Sequence, residues 1–234
     1  MTNKIIIAIT AVFFTFSTYA QTANQIVTKH IEATGGAENW SKVKSLRQEC
    51  SMTMQGAEIK LVTTQVNKKA FRMDIAVMGM NGYQIMTNTE GWSFMPFQGQ
   101  TKPEPMTADD VKMGQDQLEI QNDFITYAEM GKKLEDLGTE EIDGTECFKL
   151  KLTDKEGIET TYFIDQSTSL LVKESSKITA NGQEMENSVT YSNYEKTPEG
   201  VYFPKTIVTA QGAMEITKIE VNPLIDETIF TINK

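Results

Sequence analysis

One histidine, His30, two cysteines, Cys50 and Cys147, and a surplus of carboxylates are the groups in this chain suited to proton transfer, nucleophilic attack or metal binding. A lone imidazole excludes any triad or zinc site built on several. His30 also lies among Ile26, Val27 and Ile31 at helical spacing, as a packed residue would. The chain has no HExxH, no CxxC and no glycine-rich phosphate loop. Gly91-Trp92-Ser93-Phe94-Met95 begins like a nucleophile elbow, but Met95 stands where the second glycine is required and no strand-to-helix turn follows. Acidic neighbours such as Asp109-Asp110 and Glu140-Glu141 would serve hydrolysis only if two carboxylates converged in a cleft. With 32 Asp+Glu against 22 Lys+Arg, such pairs are expected on a solvated surface. The residues thus predict no enzyme, no metal and no cofactor.

The other distinctive chemistry is soft and apolar. Nine of the thirteen methionines fall between Met52 and Met113, several alternating with polar residues, such as Met52 with Met54, and Met73 beside Phe71, Ile75 and Val77. Methionine is unbranched and polarizable, and it repacks around apolar partners of different shape. Together with nearby aromatics, the cluster predicts an adaptable hydrophobic cavity. Its candidate lining is Met52, Met54, Phe71, Met73, Ile75, Ile85, Trp92, Phe94, Leu118 and Phe124.

The elements that must position these residues follow from periodicity. Ala23 to Ala33 carries a helical apolar stripe that Gly35-Gly36 stops, and Ala37 to Val43 adds a short turn containing Trp40. From Lys44 the period changes to two. Alternating runs separated by turn signals, among them Gly56-Ala57, Asn81-Gly82, Asp143-Gly144 and Asn181-Gly182, predict about eleven antiparallel strands. Between Pro103 and Leu134 the pattern is helical again, with Thr107 and two acids as a start signal and Gly114 weakening the middle. So large a sheet must curl, and helices are the natural cover for its concave side. The expected fold is α+β, an open, incomplete antiparallel β-barrel with an N-terminal helix and a central helical lid.

Lys4, the apolar run from Ile5 to Phe16 and the small residue Ala20 predict a signal peptide, residues 1–20, cleaved after Ala20, leaving residues 21–234 as a single domain. Loss of Lys4 takes the formal charge from −10 to −11, which disfavours nucleic acid and anionic lipid headgroups, and no later stretch could insert stably in a bilayer. Export permits a disulfide, but Cys50 alternates with the inward set Leu46, Met52 and Met54, whereas Cys147 aligns with Lys149 and Lys151. Two unrelated thiols are therefore expected ahead of a Cys50–Cys147 bridge.

The stretch WSFMPF, Trp92 to Phe97, following MTNTEG, resembles the LolA/LolB lipoprotein-carrier superfamily, whose pattern there is Gly, Trp, an aromatic two residues on, and Pro-Phe. IVTKHIEATGGAENWSKVKSLRQE is similar to the start of exported Bacteroidetes members, and YFIDQSTSLLVKESSKI, SNYEKTPEGVYFPKTI and NPLIDETIF resemble their closing strands. The resemblance implies an open barrel with a helical lid and a periplasmic protein that takes acyl chains of lipoproteins or other lipids, with an envelope receptor protein as a further partner. An alternative within the same fold is an envelope sensor or interaction module. The carriers have an arginine just before the Phe71 strand that helps hold the lid. Here the sequence reads Asn67-Lys68-Lys69, so Lys68 becomes the lid-holding candidate, without arginine's planar fork.

Overall fold

The computed structural model describes residues 22–54, 56–180 and 183–232. The expected signal segment, with its cleavage site, and the Asn181-Gly182 turn lie outside these residues. Helix α1 (Ala23–Ala33) opens with a capping box between Thr22 and Gln25, which satisfies backbone N–H groups that have no partner within the helix. Gly35 and Gly36, at φ +117° and +84°, end it and lead into α2 (Ala37–Ser41).

The strands then run β1 (Ser45–Met54), β2 (Ala57–Val66), β3 (Ala70–Val77), β4 (Met80–Thr87), β5 (Gly91–Phe94) and the two-residue β6 (Glu104–Pro105). A helical insert carries α3 (Ala108–Met113), a 3₁₀ turn (Gln115–Leu118) and α4 (Asp123–Thr126). The second run is β7 (Lys133–Ile142), β8 (Thr145–Thr153), β9 (Glu159–Asp165), β10 (Leu171–Ala180), β11 (Gln183–Lys196), β12 (Tyr202–Thr209) and β13 (Gly212–Val221). Thirteen strands, rather than about eleven, form one antiparallel sheet among the described residues. Of the additions, β6 is too short to give a periodic signal.

The strand order, β6-β5-β4-β3-β2-β1-β13-β12-β11-β10-β9-β8-β7, explains the lid. The chain starts at the centre of the sheet and meanders out to one edge at β6. It re-enters at the opposite edge, β7, and meanders back until β13 pairs with β1. Residues 106–132 must therefore cross from one edge to the other, and they do so over the face that α1 also occupies. Barrel closure would pair β6 with β7, and these remain the two free edges of the sheet.

Register decides which side chains share that inner face, because directly opposed residues in an antiparallel pair point the same way. Met52 of β1 opposes Ile59 of β2, Ile59 opposes Val77 of β3, and Leu61 opposes Ile75. The hairpin joining β3 to β4 departs from expectation. Its two-residue turn is Met78-Gly79, both with positive φ (50° and 80°), while Asn81 and Gly82 are already strand residues opposite Ala76 and Ile75. Gly82 is needed for space, since a Cβ there would lie 2.6 Å from the Phe94 carbonyl oxygen and 2.9 Å from the Phe97 ring. At the other end of β1, Ala57 is already paired with Met54, so the turn closes at Gly56 rather than through Gly56-Ala57. Asp143-Gly144 turns β7 into β8 as expected, with φ of 48° and 83°.

Three apolar clusters fill the inner face and one the outer. Ile26, Val27 and Phe124 pack on Leu150, Leu152, Tyr162 and Ile164 of β8 and β9. Trp40 and Val43 pack on Leu46, Val201 and Phe203, with the Trp40 and Phe203 rings edge-on at 5.2 Å. Phe71, Met86 and Leu118 join β3 and β4 to the insert. On the outer face, Ile85 and Ala70 are sealed by Phe230 of the C-terminal tail. The Gly-Gly break is part of this packing: a Cβ on Gly35 would lie 2.4 Å from the Gly200 carbonyl oxygen, and Thr34 accepts from the Tyr202 N–H at 3.0 Å. Gly35→Ala combines that clash with strain at φ +117°, and is expected to cost about 2–4 kcal/mol, measured as a drop in urea midpoint at unchanged slope.

Candidate functional site

Where β13, β1, β2 and β3 meet, the inner face carries a continuous apolar floor. Its members are Met214 and Ile216 on β13, Cys50 and Met52 on β1, Ile59 and Leu61 on β2, and Met73, Ile75 and Val77 on β3. Leu61, Ile75, Val77, Met52 and Met214 are half-buried, and among the described residues none of these five belongs to the packed clusters. Side chains of this kind on the inner side of an open sheet form a surface for an apolar ligand.

The structure divides the residues expected to line a cavity. Met52, Met54, Phe71, Met73 and Ile75 do share the inner face, with Met54 at its open end and 39% exposed. Leu118 and Phe124 reach the same side from the insert, but both are fully packed in core clusters. Ile85, Trp92 and Phe94 lie on the outer face: Ile85 opposes Arg72 and Trp92, and the Phe94 ring lies 5.8 Å from that of Tyr83. The cause is parity. Phe71 opposes Met86, so Ile85 must point away, and β5 inherits that alternation through the Ile85–Trp92 pair. Nor do the methionines act as one group, since Met78 and Met113 are 81% and 75% exposed. The alternation of Ile59 and Leu61 in β2 was a sequence signal for the floor. Its neighbours on β13 were not, because the pairing of β1 with β13 joins residues far apart in the chain.

The insert is held to the sheet by one backbone hydrogen bond and by side-chain bonds to its backbone. Lys68, at φ +58°, donates its N–H to the Leu118 carbonyl at 2.8 Å, Asn67 Oδ1 accepts from the Ile120 N–H at 2.9 Å, and Gln65 Nε2 donates to the Gln117 carbonyl at 2.7 Å. The Lys68 ammonium adds ion pairs to Glu119 at 3.5 Å and Glu129 at 3.9 Å. With the lysine 56% exposed, these contribute little, although Glu119 itself is only 10% exposed. Gly114 ends α3 where a Cβ would strike the Met86 methyl at 2.2 Å, so the break in the insert lets it lie close on β4. Thr107 and Asp110 form the capping box that starts α3.

His30 ties α1 to both its neighbours. Nδ1 lies 2.8 Å from the Ser169 carbonyl and Nε2 2.7 Å from the Asn122 amide nitrogen. One tautomer satisfies both: Nδ1–H donates to the carbonyl and Nε2 accepts from the amide. Burial lowers the pKa of this imidazole to about 4.

The two cysteines are both free and buried, on opposite faces of β1 and β8. Burial pushes each thiol up to about 11, helped at Cys147 by the carboxylates of Asp165, Glu146 and Glu140. Native protein at pH 8 is accordingly expected to leave both thiols unmodified by a disulfide reagent, and denatured protein to release two equivalents. Rapid labelling of folded protein would contradict this.

Beneath α1 and α4 lies a second feature, a cavity of about 300 Å³ lined by residues that include Trp40, Tyr162, Glu174, Tyr191, Tyr194 and Phe203. The Tyr191 hydroxyl donates to Glu174 at 2.7 Å and that of Tyr194 to the Leu171 carbonyl at 2.9 Å, while Tyr162 donates to Asp123. Burial raises the Glu174 carboxyl above the ordinary range. Nothing in the spacing of these residues announced the cavity, since it draws on six separate stretches of the chain.

An antiparallel sheet left open at its edges, with helices across its inner face, is the half-barrel class that the sequence led us to expect. Solved structures share it. A LolA superfamily protein from Nitrosomonas europaea is 16% identical, with 91% of this chain and 99% of that one covered at a TM-score of 0.56. A Vibrio parahaemolyticus domain assigned to outer membrane lipoprotein sorting is 12% identical, with 89% and 95% covered and a TM-score of 0.56. A DUF1329 family protein from Desulfovibrio piger is 11% identical, with 91% and 98% covered and a TM-score of 0.57. No family model matches the chain, and no curated protein matches it in sequence. At these identities the likeness is one of fold alone.

Proposed function

We propose that this protein is a non-enzymatic carrier of the periplasm, residues 21–234 forming one domain that takes an acyl chain of a lipoprotein or another lipid onto the apolar floor of β13, β1, β2 and β3. The observation that carries this reading is the half-buried inner-face row of Met52, Leu61, Ile75 and Met214, on the same side of the sheet as an insert held by a few hydrogen bonds. Each methylene taken from water is worth about 0.8 kcal/mol, so roughly fourteen would give about 11 kcal/mol before ordering costs. Apolar contact alone suffices for binding, and no catalytic group or cofactor is needed. Support comes from the fold, which it shares with a domain assigned to outer membrane lipoprotein sorting. No described helix is long and apolar enough to cross a membrane. Delivery would follow displacement of the insert, with an envelope receptor as the partner.

The reading is tested by organic extraction of protein purified from its native envelope, with mass spectrometry of the extract. A stoichiometric acyl lipid is the expected result. Protein that is lipid-free and also fails to take up a fluorescent fatty acid would defeat it.

A further inference from the structure

The cavity beneath α1 differs in kind from the apolar floor, and its hydrogen-bonding character is lopsided. Most of its donors are already spent. Besides the hydroxyls of Tyr162, Tyr191 and Tyr194, the Trp40 indole N–H donates to the Thr34 carbonyl at 3.1 Å and the Thr34 hydroxyl to the His30 carbonyl at 3.0 Å. What remains is mainly acceptor capacity: the lone pairs of those phenol oxygens and the second oxygen of Glu174. Among the described residues Glu174 has no cation within ion-pair distance. The lysine that acts on it electrostatically, Lys132, is committed to Asp123 at 3.2 Å and Asp116 at 3.7 Å. The walls are aromatic, and aromatic faces attract cations most strongly where water is excluded.

A carboxylate with no cation at ion-pair distance among the described residues, set among aromatic rings with most of their donors already used, selects a ligand that brings positive charge and its own donors or methyl groups. We propose that the cavity beneath α1 binds an organic ammonium ion, held by the Glu174 carboxylate and the faces of the surrounding aromatic rings. A volume of about 300 Å³ stands at the small end of ligand pockets, which suits an amine of a few heavy atoms or the ammonium end of a larger molecule. A carboxylate or phosphate ligand would meet mainly acceptors here and is disfavoured. The assignment does not depend on the carrier reading, since its residues lie on α1, α2, the insert and β9 to β12 rather than on the floor.

The test is calorimetric titration of the purified mature protein with choline chloride and with ethanolamine hydrochloride, against acetate and glycerol as controls. At least one ammonium should bind saturably and neither control should. Glu174→Gln should weaken that binding about tenfold or more, because it removes the charge while keeping the shape. Tyr191→Phe keeps the ring and frees the carboxylate from its present partner, so this variant should bind at least as tightly as the native protein. Were the Glu174–Tyr191 pair merely structural, both variants would lose affinity alike. That result would overturn the proposal, as would full affinity in Glu174→Gln, equal binding of the controls, or no saturable binding of either amine. Flotation with phosphatidylglycerol vesicles, with and without phosphatidylethanolamine, identifies the source. Added retention by the ethanolamine lipid points to a headgroup, and unchanged retention points to a free amine; either keeps the ammonium assignment.

Discussion

Ile75→Asp should abolish retention of a fluorescent fatty acid, weakening it on the order of a hundredfold, while Phe94→Asp should leave it within about twofold. The two positions lie on neighbouring parts of the same sheet, so the contrast isolates the face rather than the strand. Ile75 is half-buried on the inner side, opposite Leu61 and Gly82. Without a ligand, a carboxylate there can stay hydrated, so the variant is expected to fold, with a melting curve close to the native one. With an acyl chain laid across the floor, the same carboxylate would be stripped of water without a partner, at a cost of several kcal/mol. Phe94 points outward beside Tyr83, away from any such chain. Equal retention by both variants would remove the floor as the binding surface. Loss in both would mean that the outer face takes part.

The second large effect concerns pH. In the folded state His30 titrates near 4, against about 6.5 for a free imidazole. Between those values the unfolded chain binds a proton that the folded chain refuses. The contribution of the neutral imidazole is therefore complete above pH 6.5 and is lost as pH falls towards 4, for a total on the order of 3 kcal/mol. Glu174 works in the opposite sense, because its carboxyl is raised by burial and the folded state takes up its proton first as the medium acidifies. The whole-protein curve therefore mixes the two, and the useful quantity is a difference. Urea unfolding of native protein and of His30→Gln from pH 7 to pH 4 should show the native advantage shrinking by about 3 kcal/mol. Parallel curves would mean that the imidazole is protonated in place. Since His30 clamps α1 to Ser169 and to the cap of α4 at Asn122, its protonation should also loosen the cover first, visible as faster amide exchange in residues 115–130.

Much of this protein was written locally. The stripe of Ile26, Val27 and Ile31 and the glycine pair that ends it, the box at Thr107, the positive-φ turn at Asp143-Gly144 and the two-residue alternation of the strands each depend on residues within a few positions of one another. Together with the ordered motifs around Trp92 to Phe97, they were enough to indicate an open half-barrel with a helical cover and a soft apolar inner surface. Composition alone disfavoured a histidine-based or multi-cysteine site.

Tertiary structure decided which residues meet. Parity across β3, β4 and β5 turns on where one hairpin reverses, and Met78-Gly79, not Asn81-Gly82, makes that turn. Trp92, Phe94 and Ile85 therefore face outward, a matter of register to which hydrophobicity is blind. The union of β1 with β13 completes the floor, and the crossing of the insert from β6 to β7 brings Asp123, Glu174 and Tyr191 around one cavity. Contacts between residues this far apart in the chain leave no periodic trace, because they arise from the closure of the sheet as a whole rather than from any segment's own preference.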